Sequence, residues 1–221
     1  MKVLSSLAIK EAYLELAPAF EAKSGKKLDT SWLGMVDIRK RMQSGESADV
    51  VIGSAALLAE LKSAGNIASI VPLAKSGVAV AVRKGAKHPD LSSGEAVKRG
   101  LRAAKSIAYS SGPSGVYLSQ LFEKWGIAEE LKARITQTPP GTAVGPLVAR
   151  GEAELGFQQM SELLPIPGID IVGPLPADIQ TVTTFSGGVH SASKEAGAAK
   201  AWLESIAAAK SVLKKHGMEA A

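Results

Sequence analysis

Before Gly65 the chain repeats one pattern three times: a β-prone run, a short turn of small residues, then apolar positions at helical spacing. Lys2 to Ser5 precedes Ala8, Ala12, Leu16 and Phe20, and Lys27 to Trp32 precedes Val36 to Met42. Ala48 to Gly53 precedes a helix over Ala55 to Ala64, with Ser54 placed to cap it. Gly25, Gly45 and Gly65 punctuate the three helix ends. A strand that returns through a helix pairs in parallel with the next, so the pattern predicts an α/β fold around a mostly parallel sheet.

The alternation continues downstream. A strand is expected at Val78 to Arg83, a helix over Ser92 to Ala104, a strand at Ser106 to Tyr109, a loop from Ser110 to Gly115 and a helix reaching Lys124. Gly126 to Ile135 reads as helical, and the turn Thr138 to Thr142 reads as the opening of a helix over Ala143 to Arg150. Strands follow at Leu155 to Gln158, Ile169 to Val172 and Gln180 to His190, then helices at Lys194 to Ala207 and Lys210 to His216. Two α/β lobes result, residues 1–76 plus 189–221 and residues 77–188, with Val78 to Arg83 and Gln180 to His190 as crossover strands forming a hinge. Ligands of open α/β sheets lie beyond the carboxyl ends of the strands, which places the expected site in the cleft between lobes.

At 221 residues with 46% hydrophobic side chains, the chain has enough aliphatic surface for cores of this kind, which excludes disorder. Lys plus Arg number 26 against 21 Asp plus Glu, and the net +5 is spread without a block of like charges. That balance suits a small anionic ligand and supports no nucleic-acid partner. The absence of cysteine removes a disulfide framework, a thiolate zinc site and a cysteine nucleophile. No apolar run approaches the roughly 18 residues of a membrane span, so no membrane insertion is expected. The apolar stretch after Met1 is broken by Ser5 and Ser6 and ended by Lys10 and Glu11, too short for a signal-peptide core. A cytoplasmic location is therefore expected if Met1 is the natural start.

Three loops at carboxyl ends of strands lead into helices and are rich in Gly, Ser and Thr: Ser5-Ser6, Ser110 to Gly115, and Pro140 to Thr142. Each would present backbone N–H groups and the positive end of a helix dipole, which favours an oxyanion without a charged side chain. Each alone is an ordinary helix cap; their convergence is the signal. No metal or cofactor is called for.

Four segments carry a family resemblance over nearly the whole chain: Val3 to Leu7 (VLSSL), Gly45 to Gly53 (GESADVVIG), Pro113 to Tyr117 (PSGVY) and Val148 to Gly156 (VARGEAELG). The chain resembles the molybdate-binding-like solute-binding proteins of ABC transporters. The resemblance implies a two-lobed type II periplasmic-binding fold, hinge closure, a periplasmic location and a transporter permease as partner. It also implies oxyanion contacts near Ala8, Met35 or Val36, Ser114, Gly141 or Thr142, and Gln159. The family offers serines near positions 8 and 36 and a tyrosine near 159, so several hydroxyl donors are replaced here, which argues against molybdate. Ser5, Ser6, Ser111 and Ser114, the backbone at Gly34, Met35, Gly115 and Gly141, Thr142, the amides of Gln158 and Gln159, a flat wall at Trp32 and a guanidinium fork at Arg39 instead suit an organic carboxylate. Arg39 also reads as part of a solvated helix face, and Trp32 as packing.

Two further readings share the fold. Some relatives of these binding proteins look like isomerases of unsaturated tricarboxylates such as aconitate, whose allylic proton shift needs a positioned acid or base. Glu162, Tyr117, Tyr109 and His190 are the candidates, although Glu162 also reads as a helix-start charge and His190 as an ordinary crossover residue. A ligand-sensing regulatory protein would use the same lobes, but no DNA-binding segment precedes Lys2.

Overall fold

In the computed structural model, which describes residues 1–221, the first repeat forms β1 (Lys2–Ser6), a 3-10 turn at Leu7–Ile9 and α1 (Lys10–Ser24). The second and third form β2 (Asp29–Leu33), α2 (Met35–Gln43), β3 (Val50–Ser54) and α3 (Ala55–Ser63). Ser54 caps α3 as its position predicts, its hydroxyl accepting the Leu57 N–H at 3.3 Å. β1 lies parallel to both β2 and β3, with Val3 opposite Thr30 on one side and Val50 on the other.

The next strand, β4 (Ile67–Arg83), is far longer than the expected Val78 to Arg83. Ser69, Pro72 and Lys75 interrupt the apolar pattern of its first half, and that half is held as a strand by pairing that sequence periodicity does not report. The chain continues through α4 (Gly94–Ala103), β5 (Ile107–Ser110), α5 (Pro113–Lys124), α6 (Ala128–Leu131), a 3-10 turn at Lys132–Arg134, β6 (Ile135–Thr138) and α7 (Gly145–Ala149). β7 (Leu155–Gln159), α8 (Met160–Leu163), β8 (Ile169–Pro174), β9 (Val182–His190), α9 (Ala196–Ala208), α10 (Lys210–Lys215) and β10 (Glu219–Ala220) complete it.

The chain divides into two compact units, Met1–Ser76 with Thr183–Ala221, and Gly77–Val182. The second crossing falls at residue 183 rather than the expected 189, and β9 from Phe185 to Val189 pairs with β3, Phe185 opposite Ser54 and Val189 opposite Val50. In the first unit the strands run in the order β2-β1-β3-β9-β4, with β10 antiparallel to β4 at Ala74 and Lys75. In the second the order is β4-β7-β5-β6, with β8 antiparallel to β4. β5 is parallel to β6 and β7, whereas β4 and β9 enter antiparallel, so both sheets are mixed.

Each sheet is covered on both faces. In the first unit Val3, Val50 and Ile52 pack with Trp202, Leu203 and Ile206 of α9, while the alternate residues Leu4 and Val51 pack with Ile38, Leu57 and Leu58 of α2 and α3. In the second unit Val78, Val80 and Val82 face Leu118 and Phe122 of α5, and the intervening Ala79 and Ala81 face Leu163 of α8. The period-two alternation of β-strands thus sends every other residue into a different apolar layer, which is why these strands read as continuous apolar runs.

Candidate functional site

Within the first unit, parallel register sets Ser6 opposite Leu33 and Ser5 opposite Ile52, so the loops after β1, β2 and β3 leave the sheet along one edge. Ser5 and Ser6 are both buried. Ser5 Oγ donates to the Ser6 carbonyl at 3.2 Å, and Ser6 Oγ accepts the Ala8 N–H at 3.2 Å, capping the 3-10 turn. Ser6 therefore uses only a lone pair and keeps a hydroxyl proton to donate. Trp32 is half-buried, edge-on to Tyr13 with ring centroids 5.0 Å apart, and packed on the core around Trp202. Gly34 is the N-cap of α2, its carbonyl accepting from Asp37 and Ile38. Met35 Sδ accepts the Ser54 N–H at 3.4 Å.

Arg39 does not offer the expected fork. Its Nε donates to both carboxylate oxygens of Glu60, at 2.9 and 3.0 Å, in an exposed ion pair joining α2 to α3. Three residues separate Arg39 from the helix start, which turns it to the outer face of α2 where Glu60 meets it.

In the second unit, Ser110 stands opposite Thr138, and Tyr109 opposite Phe157, so the loops after β5, β6 and β7 also leave one edge together. Ser110 and Ser114 are buried and share a hydrogen bond of 3.2 Å between their hydroxyls, while Ser110 Oγ also accepts the Gly112 N–H. Ser111 is half-buried in the bend between them. A Cβ at Gly115 would overlap the carbonyl oxygen of Ser110. Glycine at that position is what lets the first turn of α5 rest on the end of β5 and bring Ser114 to Ser110.

The third loop departs from expectation. The helix after it begins at Gly145, not Ala143, and is five residues long. Gly141 and Thr142 instead close a separate exposed turn, in which the Thr142 N–H donates to the Pro139 carbonyl at 3.1 Å and Gly141 has φ 73°. Pro at the second position and a positive φ at the third are the signature of a type II turn. Thr138 Oγ1 secures it by donating to the Thr142 carbonyl at 2.9 Å. Their backbone groups belong to the turn, not to a helix terminus.

At the end of β7, Gln158 and Gln159 are both buried. Gln158 is turned inward at both ends of its amide: Oε1 accepts the Val144 N–H at 2.8 Å and Nε2 donates to Glu162 Oε1 at 2.9 Å. Gln159 is the N-cap of α8, and Glu162, three residues on, reaches back to its N–H. Burial pushes the Glu162 carboxyl up to about 7 from an ordinary 4.5, although hydrogen bonds from Gln158 and the Gln159 backbone favour the ionised form. The side chain remains partly exposed.

The other candidate acids and bases are engaged elsewhere. Tyr117 Oη donates to the Ile179 carbonyl at 2.6 Å. Tyr109 packs on Phe122 and lines a separate cavity of about 200 Å³ with Ser119, Ala128 and Ile135. Burial pushes the Tyr109 hydroxyl upward against a hydrogen bond with Ser119. His190 belongs to the first unit, where its Nδ1 accepts the Ala192 N–H at 3.1 Å. Glu162 is thus the one candidate whose carboxyl is both perturbed toward neutrality and held by neutral donors. The link from Val144 through Gln158 to Glu162 has no signature in spacing beyond the Gln159-x-x-Glu162 helix start.

The sequence profile of the bacterial extracellular solute-binding proteins matches residues 1–219. The chain belongs to that family. Solute-binding proteins of this kind are usually periplasmic, and no helix of this member is long and apolar enough to cross a membrane. The periplasmic molybdate-binding protein of Azotobacter vinelandii superposes with a TM-score of 0.80 at 19% identity, over 99% of this chain and 98% of that one. The sulfate-binding protein SubI of Mycobacterium tuberculosis gives 0.77 at 17% identity, over 99% and 85%. These likenesses establish the type II periplasmic-binding fold. In sequence, the solute-binding chain is 43% identical over 215 residues to a Pseudomonas protein named aconitate isomerase, covering 94% of this chain and 82% of that one.

Proposed function

We propose that this solute-binding-family member is an isomerase of a small unsaturated tricarboxylate such as aconitate, with Glu162 as the group that takes and returns the proton. The observation that carries the reading is the Glu162 carboxyl itself, pushed up to about 7 by burial and held by two neutral donors. The 43% identity to a protein named aconitate isomerase supports it. A general acid–base group works best with a pKa near the working pH, because both of its protonation states are then accessible.

The chemistry balances without a cofactor. The Glu162 carboxylate removes a proton from the methylene carbon of the substrate. The released C–H pair becomes the new double bond, while the electrons of the old one move to its far carbon. That carbon takes the proton from the Glu162 carboxylic acid, which returns to carboxylate. Charge that develops on the substrate is met by neutral hydroxyl and backbone donors at Ser110, Ser114 and the first turn of α5.

A second reading, a binding protein that delivers an organic carboxylate to a transporter permease, is favoured by the family and the fold. One experiment separates the two. Purified protein is mixed with cis- or trans-aconitate in deuterated buffer and followed by proton NMR. Interconversion that is lost by at least about a hundredfold in Glu162→Gln is the expected result. A ligand-dependent rise in Tm with no conversion over hours would refute the isomerase and establish the binding protein.

A further inference from the structure

Gln158 is a polar side chain with no contact to solvent, 1% exposed, at the end of β7. A primary amide has one accepting end and one donating end. The accepting end is fixed, because the Val144 N–H at 2.8 Å is a donor with no alternative role; reversing the amide would set two donors against each other. The NH₂ is therefore directed at Glu162 Oε1, at 2.9 Å, whichever protonation state Glu162 adopts. Glu162 is anchored on its own side by its position in the first turn of α8, reaching back to the Gln159 N–H. Leu163 of the same helix is buried against Ala79 and Ala81, so the helix that carries the carboxyl is itself fixed to the sheet.

We propose that Gln158 is a positioning residue for proton transfer: it holds the Glu162 carboxyl so that Oε1 stays an acceptor and the other oxygen takes and returns the proton, and it anchors that carboxyl to the segment between β6 and α7. The assignment rests on the proposed proton-carrying role of Glu162. Burial and the hydrogen bonds from Gln158 and Gln159 are the causes of the Glu162 shift, and no charged side chain is among them. β7 carries no titratable residue, and Arg83 of β4 and Asp170 of β8 lie at strand ends, with Asp170 engaged by the Gly85 N–H. Burial raises the proton affinity of Glu162, and Gln158 is the side chain whose hydrogen bond opposes that rise by favouring the carboxylate.

The test uses the full chain with ¹³C-labelled glutamate, reading the Glu162 carboxyl resonance against pH and identifying it by its absence in Glu162→Gln. In Gln158→Met the donor to the ionised form is lost, and the midpoint is expected to rise by about half a pH unit or more. Gln158→Glu keeps an acceptor for the Val144 N–H and guards against misfolding of the Met variant. Two adjoining carboxyls should then titrate in two steps separated by about a pH unit or more. The acid limb of kcat/KM for tricarboxylate conversion should move to higher pH in both variants, with kcat falling more than KM changes. An unmoved Glu162 midpoint in both variants, or a uniform loss of activity with an unchanged pH profile, would overturn the inference. Absence of any turnover by the wild type would remove the isomerase reading, while the NMR midpoints would still decide whether Gln158 controls Glu162.

Discussion

Replacing Glu162 by Gln should make the protein progressively more stable than the wild type as pH rises from 5 to 8. The amide keeps the carboxyl's shape and can turn its one oxygen toward the Gln158 Nε2 donor, so the packing of the side chain is kept. What changes is linkage. Between the ordinary value of 4.5 and the folded value of about 7, folded Glu162 holds a proton that the unfolded chain has released. Stability contributed by that proton is fully present below 4.5 and is lost as pH rises through 7. At about 1.36 kcal/mol per unit, a shift from 4.5 to about 7 corresponds to roughly 3.4 kcal/mol at most. Because the side chain is partly exposed and solvent screens it, about 1–3 kcal/mol is the expected difference at pH 8. Urea unfolding of both proteins at pH 5, 6, 7 and 8 measures it, because whatever the two proteins share cancels in the difference. Parallel stability curves across that range would show that burial of Glu162 does not perturb its carboxyl, and would remove the physical basis for its role as proton carrier.

Arg39→Ala should change stability by less than about 1 kcal/mol and leave carboxylate affinity unaltered, since the guanidinium is paired with Glu60 on an exposed face; a tenfold weaker ligand in isothermal titration would return Arg39 to the site. Gly115→Ala should lower stability by several kcal/mol or prevent folding, on the order of a severe steric core defect, because the new methyl overlaps the Ser110 carbonyl. A wild-type Tm for that variant would refute the close approach of α5 to β5. Trp202→Ala should cost about 3–5 kcal/mol in denaturant unfolding, because the indole is fully buried and packs edge-on to Tyr13 at 4.8 Å. A loss below about 1 kcal/mol would mean that α9 contributes little to the first core.

Local features carried the fold a long way. Turn residues, a cap at Ser54 and apolar periodicity act between neighbours in the chain, and the βα repeats follow from them. The first half of β4 was not legible, because its strand state is imposed by β10 and the surrounding pairing rather than by its own residues. The helix expected from Ala143 begins later because Gly141, at φ 73°, completes a turn first.

The side chains of the candidate site divide in the same way. Ser6 as a cap and Ser114 in the first turn of α5 follow from what precedes each helix, and a reader of the sequence can place them. Whether an amide faces a ligand or the interior depends on partners far along the chain or across a strand end. Gln158 meets Val144, fourteen residues away, and Arg39 meets Glu60, twenty-one away. The repeating pattern of turns, caps and apolar periodicity therefore settled the class of fold, because those are properties of neighbouring residues, whereas Glu162 stood only as one of four candidates implied by the family resemblance. Only the tertiary structure decided that burial lifts the Glu162 carboxyl toward neutrality, that Arg39 is already neutralised and that Gln158 points inward. Desolvation and hydrogen-bond direction arise from groups that folding brings together, and no local pattern encodes them.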